Sequence, residues 1–376
     1  MKRLYYTGLF IWLVMMIVTN VLQSQTGAWH PEITARPRLL FSHADIPSIV
    51  KSINEHTLQH QLYNDLYATA MMTSSDQRQR SQIAKAAAFV LALNLEPQNN
   101  SYSPVDSQIR AEFIGKILDY LRNIDPAVKS PSTNYQWRAL ELMQFCEAYD
   151  LFLGIGQPSD TLIENKLAQF AANAYSELNQ FLVTQNNLTI KLASALGMTA
   201  ITLNHYSSPN VSSQPATWIG KAMTFIDDVF WNIVSDPRVE MGYAESPYYF
   251  RYAMMSAAPF FYAMKNFNGD WTEWYKGRTI QSPWFDPRYV KLYDWAAKIR
   301  MPDGRLPAFD DSYINSYFPE LGIFSALPNQ PSYYGWMNYK KGQAVSDNEF
   351  SSSLAGPKEG NTARTCQGIP PQKEPR

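Results

Sequence analysis

The chain has 376 residues, 45% of them hydrophobic, and a formal net charge of -1, so it is globular and long enough for one large domain or two. That balance excludes a bulk nucleic-acid binder, whose footprint would be strongly basic. Two cysteines, Cys146 and Cys366, make no disulfide framework, and five histidines without a Cys/His cluster give no support to a zinc site. No cofactor is expected.

Met1-Lys2-Arg3 is basic, Leu9 to Val18 is unbroken apolar, and mostly small or polar residues follow from Thr19 to Ala28. This order describes a secretory signal over residues 1–28, cut between Ser24 and Ala28, and a periplasmic or secreted destination. The other reading is an uncleaved anchor. A spanning helix needs roughly 20 apolar residues, and this run is shorter, so no stable membrane span is expected. Arg36-Pro-Arg-Leu-Leu-Phe-Ser is extended, because Pro37 disfavours helix just before it. Asp45 to Met72 reads as helix, started by Ser42 and Asp45, and the polar stretch Thr73 to Arg80 breaks it.

Helical patterns follow at 81–95, 105–123, 135–153, 160–182, 187–204, 217–234, 247–265 and 287–299. Leu142, Phe145, Cys146, Tyr149 and Phe152 recur at three- and four-residue steps, as do Leu188, Leu192, Ala195, Leu196, Thr199 and Leu203. Each series paints one helix face. Strand alternation is nearly absent before residue 320. Helices of similar length in series must bury their stripes on one another, so the fold class is all-α, an open or closed ring of helical hairpins. Residues 29–340 form that domain. A strand or two is expected near Tyr333 to Lys341, and the polar tail 341–376 is expected to be disordered.

Three segments together resemble the heparinase II/III-type polysaccharide lyases and the related alginate and oligoalginate lyases. They are Arg36-Pro-Arg-Leu-Leu-Phe-Ser with Asp45-Ile-Pro; Gln185-Asn-Asn-Leu-Thr-Ile-Lys-Leu-Ala-Ser-Ala-Leu-Gly197; and Gly242-Tyr-Ala-Glu-Ser-Pro-Tyr-Tyr-Phe-Arg-Tyr252 with Pro302-Asp-Gly-Arg-Leu-Pro-Ala-Phe-Asp-Asp-Ser312. The likeness spans residues 36 to 320. It implies an incomplete (α/α) toroid, with the family's C-terminal β-sandwich missing and a separately encoded β-sandwich domain as a partner. The implied partner is an acidic polysaccharide or oligosaccharide.

A lyase acting beside a uronic acid removes the proton alpha to a carboxylate and expels the 4-linked oxygen. Charge growing on that carboxylate must be met by a donor, with a base and an acid in hydrogen-bond reach. The resemblance assigns the donor to Asn187, with Asn186 beside it, at a helix start that favours anions. It assigns the base and acid to Tyr249, one turn into a helix begun by Ser246 and Pro247. Plain capping by Asn186 or Asn187, and an aromatic core holding all three tyrosines, are the structural alternatives. Glu245, Tyr248, Arg251, Tyr252, Lys191 and Arg305 are the expected substrate contacts.

Other features leave the reading open. Many relatives carry histidine directly after the asparagine, and Leu188 stands there in this chain. Glu245 with Asp310 or Asp311 could be the carboxylate pair of a toroidal glycoside hydrolase. A non-catalytic glycan-binding remnant is the third possibility. Trp137, Trp231, Trp271 and Trp274 could floor a sugar groove, and Arg36, Arg38, Lys191, Arg300 and Arg305 could meet an acidic polymer.

Overall fold

The computed structural model describes residues 29–55, 57–94, 105–128, 135–180, 187–234, 243, 245–267, 269–299, 301 and 306–308. The expected signal at 1–28, the strands near 333–341 and the tail at 341–376 lie outside the described residues. The described chain is mostly helical, as its periodicity predicts. Its ten α-helices are α1 (Ile46–Glu55), α2 (Thr57–Met71), α3 (Gln77–Leu93), α4 (Ser107–Arg122), α5 (Tyr135–Gly154), α6 (Thr161–Leu178), α7 (Asn187–Thr202), α8 (Pro215–Val234), α9 (Pro247–Phe267) and α10 (Val290–Lys298).

Aspartates start three of these helices by accepting free backbone N–H groups. Asp76 takes that of Gln79, Asp106 those of Gln108 and Ile109, and Asp160 those of Leu162 and Ile163. The Asp76 cap corrects the break read from Thr73 to Arg80. Helix α3 already begins at Gln77, because Gln and Arg continue a helix well once it is capped. The single helix read from Asp45 to Met72 is instead a 3-10 turn (His43–Asp45) followed by α1 and α2.

Alternate helices pack in a continuous row, α3 on α5, α5 on α7 and α7 on α9, while α4, α6 and α8 touch one another along it. Polar pairs fix the first step of this row. Gln77 donates to Glu141 at 2.9 Å, Ser81 to Gln144 at 2.7 Å, and Lys85 lies 2.8 Å from the Glu147 carboxylate. The paired numbers rise together, so α3 and α5 run parallel. A row of every fourth residue meets a row of every third, the arrangement behind a shallow crossing of about +20°.

Helix α7 is central. Every residue of α7 except Leu188 is buried, so its apolar stripe is only part of a helix enclosed on all sides. Gly197 lets α9 come close, since a Cβ there would stand 2.3 Å from the Phe260 ring.

The Arg36–Leu39 lead-in is held by Asp150 at the end of α5. This carboxylate accepts from the Arg36 guanidinium at 2.8 Å and from the Arg38 and Leu39 N–H groups at 2.7 and 3.0 Å. The Arg38 side chain is buried and donates to the Ile33 and Ile201 carbonyls at 2.7 Å. Arg36 and Arg38 therefore anchor the fold and do not present cations to a polymer.

One element escapes the sequence reading. Strands β1 (Thr272–Tyr275) and β2 (Arg278–Gln281) form an antiparallel hairpin with Tyr275 opposite Arg278. Lys276 and Gly277 turn it, both at positive φ (47° and 78°), the backbone of a two-residue hairpin loop. Arg278 bonds to Asp227, and Lys276 reaches Asp228 at 2.7 Å, which pins the hairpin to α8. Among the described residues, no helix is long and apolar enough to cross a membrane.

Candidate functional site

Two helix starts meet in this molecule. At the first residue of α7, the Asn187 N–H donates to Glu245 Oε2 at 2.6 Å, and its amide Nδ2 lies 3.2 Å from both Glu245 oxygens. Glu245 stands just before α9, which opens with Pro247 at a position that needs no N–H donor. The Ser246 hydroxyl accepts the Tyr249 N–H at 3.2 Å and caps α9. Ser246 itself sits at φ 147°, a region rarely used by residues other than glycine and worth about 1–3 kcal/mol of strain.

The electrostatics follow from this contact. The start of α7 attracts negative charge, and Glu245 supplies it. The Tyr243 hydroxyl adds a donor to Glu245 at 3.0 Å, and burial, reinforced by that carboxylate, pushes its own pKa well above the usual tyrosine value. Tyr243 therefore stays protonated and donates. With its N–H2 aimed at a carboxylate, the Asn187 amide must turn Oδ1 away, and that buried oxygen accepts no hydrogen bond among the described residues. Asn187 is thus not an ordinary cap, whose side-chain oxygen would accept from its own helix.

The tyrosines of α9 form one cluster. The Tyr249 ring lies 5.6 Å from that of Tyr248 and 6.1 Å from that of Tyr252, and the Tyr248 hydroxyl donates to that of Tyr252 at 3.0 Å. All three rings are half-buried, not sealed in the core. The fully buried Lys191 ammonium, one turn along α7 from Asn187, stands 4.7 Å from the centre of the Tyr252 ring and 5.9 Å from that of Trp137. The structure thus gathers Asn187, Lys191, Glu245, Tyr248, Tyr249 and Tyr252 around the meeting of α7 with α9. Arg251 lies half-buried in the same part of α9. Asn186, Arg300, Arg305, Asp310 and Asp311 lie outside the described residues.

Trp137, Trp271 and Trp274 do not share one surface, and the Trp231 side chain lies outside the described residues. Trp137 faces Lys191 at 5.9 Å and lies under the Arg78 guanidinium at 3.6 Å. Trp274 is exposed on the hairpin, and Trp271 is buried beneath it. Cys146 is no nucleophile, because burial pushes its thiol up to about 12. Tyr243 was missed as a partner of Glu245. Its signal was available, since residues two apart share one side of an extended segment. Nothing in the sequence foretold Trp137 beside Lys191.

No protein-family model matches this chain, and none of the curated proteins is significantly similar to it.

Proposed function

We propose that this chain is an exported polysaccharide lyase-like protein that acts on an acidic, uronate-containing glycan by β-elimination. The observation that carries this reading is the Asn187–Glu245 contact, which ties the start of α7 to the start of α9 and so holds Asn187 within one helical turn of the segment bearing Tyr249. Parallel packing of alternate helices supports the ring of hairpins that an incomplete (α/α) toroid requires.

In this mechanism Asn187 meets the substrate carboxylate. Its amide contacts both Glu245 oxygens at 3.2 Å, so the arriving uronate takes over one of those two hydrogen bonds. Tyr249 takes the alpha proton and returns a proton to the leaving oxygen. Lys191, set 4.7 Å from the centre of the Tyr252 ring, borders the same junction. Glu245 acts as a positioning residue, holding Asn187 and the first turn of α9 together.

A second reading rests on the same contact. Glu245 already satisfies the anion-binding end of α7, which suits a glycan-binding remnant without turnover. A solution assay separates the two. Unsulfated uronate polymers incubated with the protein are expected to gain the ultraviolet absorbance of an unsaturated uronate. Tyr249→Phe should abolish that signal and leave glycan binding intact, and Asn187→Ala should slow it by a factor on the order of 100. An equally active Tyr249→Phe protein would remove Tyr249 from the mechanism. Binding without any unsaturated product would establish the remnant, and reducing ends released without unsaturation would mark a hydrolase.

A further inference from the structure

A concave site lies between α8 and the β1–β2 hairpin and shares no lining residue with the tyrosine cluster. Its volume is about 290 Å³, and its walls include Trp29, Tyr175 of α6, Gly220 and Lys221 of α8, and Trp271 and Glu273. Ligand pockets start at about 300 Å³, so this one suits a single ring-sized group.

The hairpin builds the site by strand alternation. Trp271, Glu273 and Tyr275 alternate along the segment and line the cleft, joined by Thr272 where β1 begins, while Trp274 lies outside it and is 57% exposed. Tyr275 donates to Asp228 on α8 at 2.5 Å, alongside the Arg278 and Lys276 anchors, so the face is held in place. Gly220 makes room for the carboxyl group, because a Cβ there would lie 2.9 Å from Glu273 Oε2. The half-buried Glu273 carboxyl makes no hydrogen bond or ion pair among the described residues. Burial alone lifts its pKa to about 7. A desolvated carboxyl group without a partner opposes folding, and such a group in a cleft is what a ligand would relieve.

The remaining walls select the ligand. The Lys221 ammonium stands 4.5 Å from the centre of the Phe225 ring and 5.5 Å from that of Tyr175, and the Thr217 and Thr272 hydroxyls also line the cleft. A simple cation would be matched by Glu273 and repelled by Lys221. A simple anion meets the reverse. A neutral polyol suits both, since its hydroxyls donate to the carboxylate and accept from the ammonium. Two adjacent hydroxyls fit the two carboxylate oxygens as a fork, and the apolar face of a pyranose fits against indole. We infer that this cleft binds a neutral sugar ring, with Glu273 accepting from a vicinal diol, Lys221 donating to a third oxygen, and Trp29 and Trp271 contacting the ring face. This site does not depend on the elimination chemistry above.

The test uses the full chain and ligand-observed saturation-transfer NMR with four probes: methyl glucopyranoside, glucosamine, glucuronate and phenylalanine. Methyl glucopyranoside should receive saturation, and Glu273→Gln should weaken its binding at least about tenfold, because an amide replaces one of two charged acceptors. Gly220→Ala should weaken it similarly by displacing the carboxyl group, with an unchanged melting temperature, since only the end of a flexible side chain must move. Asn187→Ala should leave this binding untouched, which separates failure here from failure of the lyase reading. Three results would overturn the inference: no transfer to the neutral sugar, transfer insensitive to Glu273→Gln, or a Glu273-dependent preference for any of the three charged probes.

Discussion

Glu245 and Glu273 are the same residue in opposite circumstances. Glu245 receives the Asn187 N–H, the Asn187 amide and the Tyr243 hydroxyl, and it joins two helices of the buried row. Glu273 stands on a peripheral hairpin, with no partner among the described residues and a pKa raised by burial. The difference teaches where a carboxylate is structural and where it is held in reserve. A fully donated carboxylate fixes geometry for other groups, while a desolvated one without donors is poised to take a ligand or a proton.

The contrast can be broken at either end, and the largest effect belongs to the first site. Tyr249→Phe should eliminate unsaturated product while shifting stability by no more than about 0.5 kcal/mol, as for a half-buried ring that keeps its shape. A loss of folding in that variant, seen by circular dichroism, would make Tyr249 a packing residue. Glu245→Ala should cost about 3 kcal/mol in urea denaturation, because it strands a buried N–H, an amide and a hydroxyl together. A cost under about 1 kcal/mol would mean that the two helix starts are held by something else.

Smaller effects sharpen the second site. Arg278→Ala leaves the buried Asp227 without that guanidinium and should cost about 2 kcal/mol, loosening the hairpin and its sugar binding. Elimination activity should survive it. Glu273→Gln should have the smallest effect on stability, visible there only through pH. The folded protein holds the Glu273 proton up to about pH 7, whereas the unfolded chain releases it near 4.5. This contribution to stability is fully present below pH 4.5 and is lost as pH rises through 7. With allowance for partial exposure, the variant should gain about 1 kcal/mol over the wild type above that range, and little below it.

How much of this was legible depends on the kind of force involved. Helix positions were readable because burial imposes a period, and α4, α5 and α8 fall within two residues of their expected ends. The hairpin was not, because its short Trp271–Glu273–Tyr275 alternation is cut by the Lys276-Gly277 turn before a strand pattern can build up. Asn187, Lys191, Glu245 and the α9 tyrosines were singled out by resemblance, and they do lie around one junction. Their mutual bonds were hidden, since a donor such as Asn187 carries no sequence mark of whether it faces a ligand or a carboxylate of its own chain. Arg36 and Arg38 were misjudged for the same reason: local sequence does not disclose that their guanidinium groups meet acceptors 114 and 163 positions away.

The buried polar series of α5 has a mechanical consequence. Arg138, Glu141, Gln144, Glu147 and Asp150 recur every third residue, and at about 100° per residue each step backs around the helix by about 60°. The series therefore winds like a screw thread, first engaging α3 and finally the Arg36–Leu39 strap. A thread of this kind permits neither pure rotation nor pure sliding, since either motion drives a charge into hydrocarbon. Helix α5 is thereby locked in pitch as well as in place, and the α7 helix resting on it inherits a fixed datum.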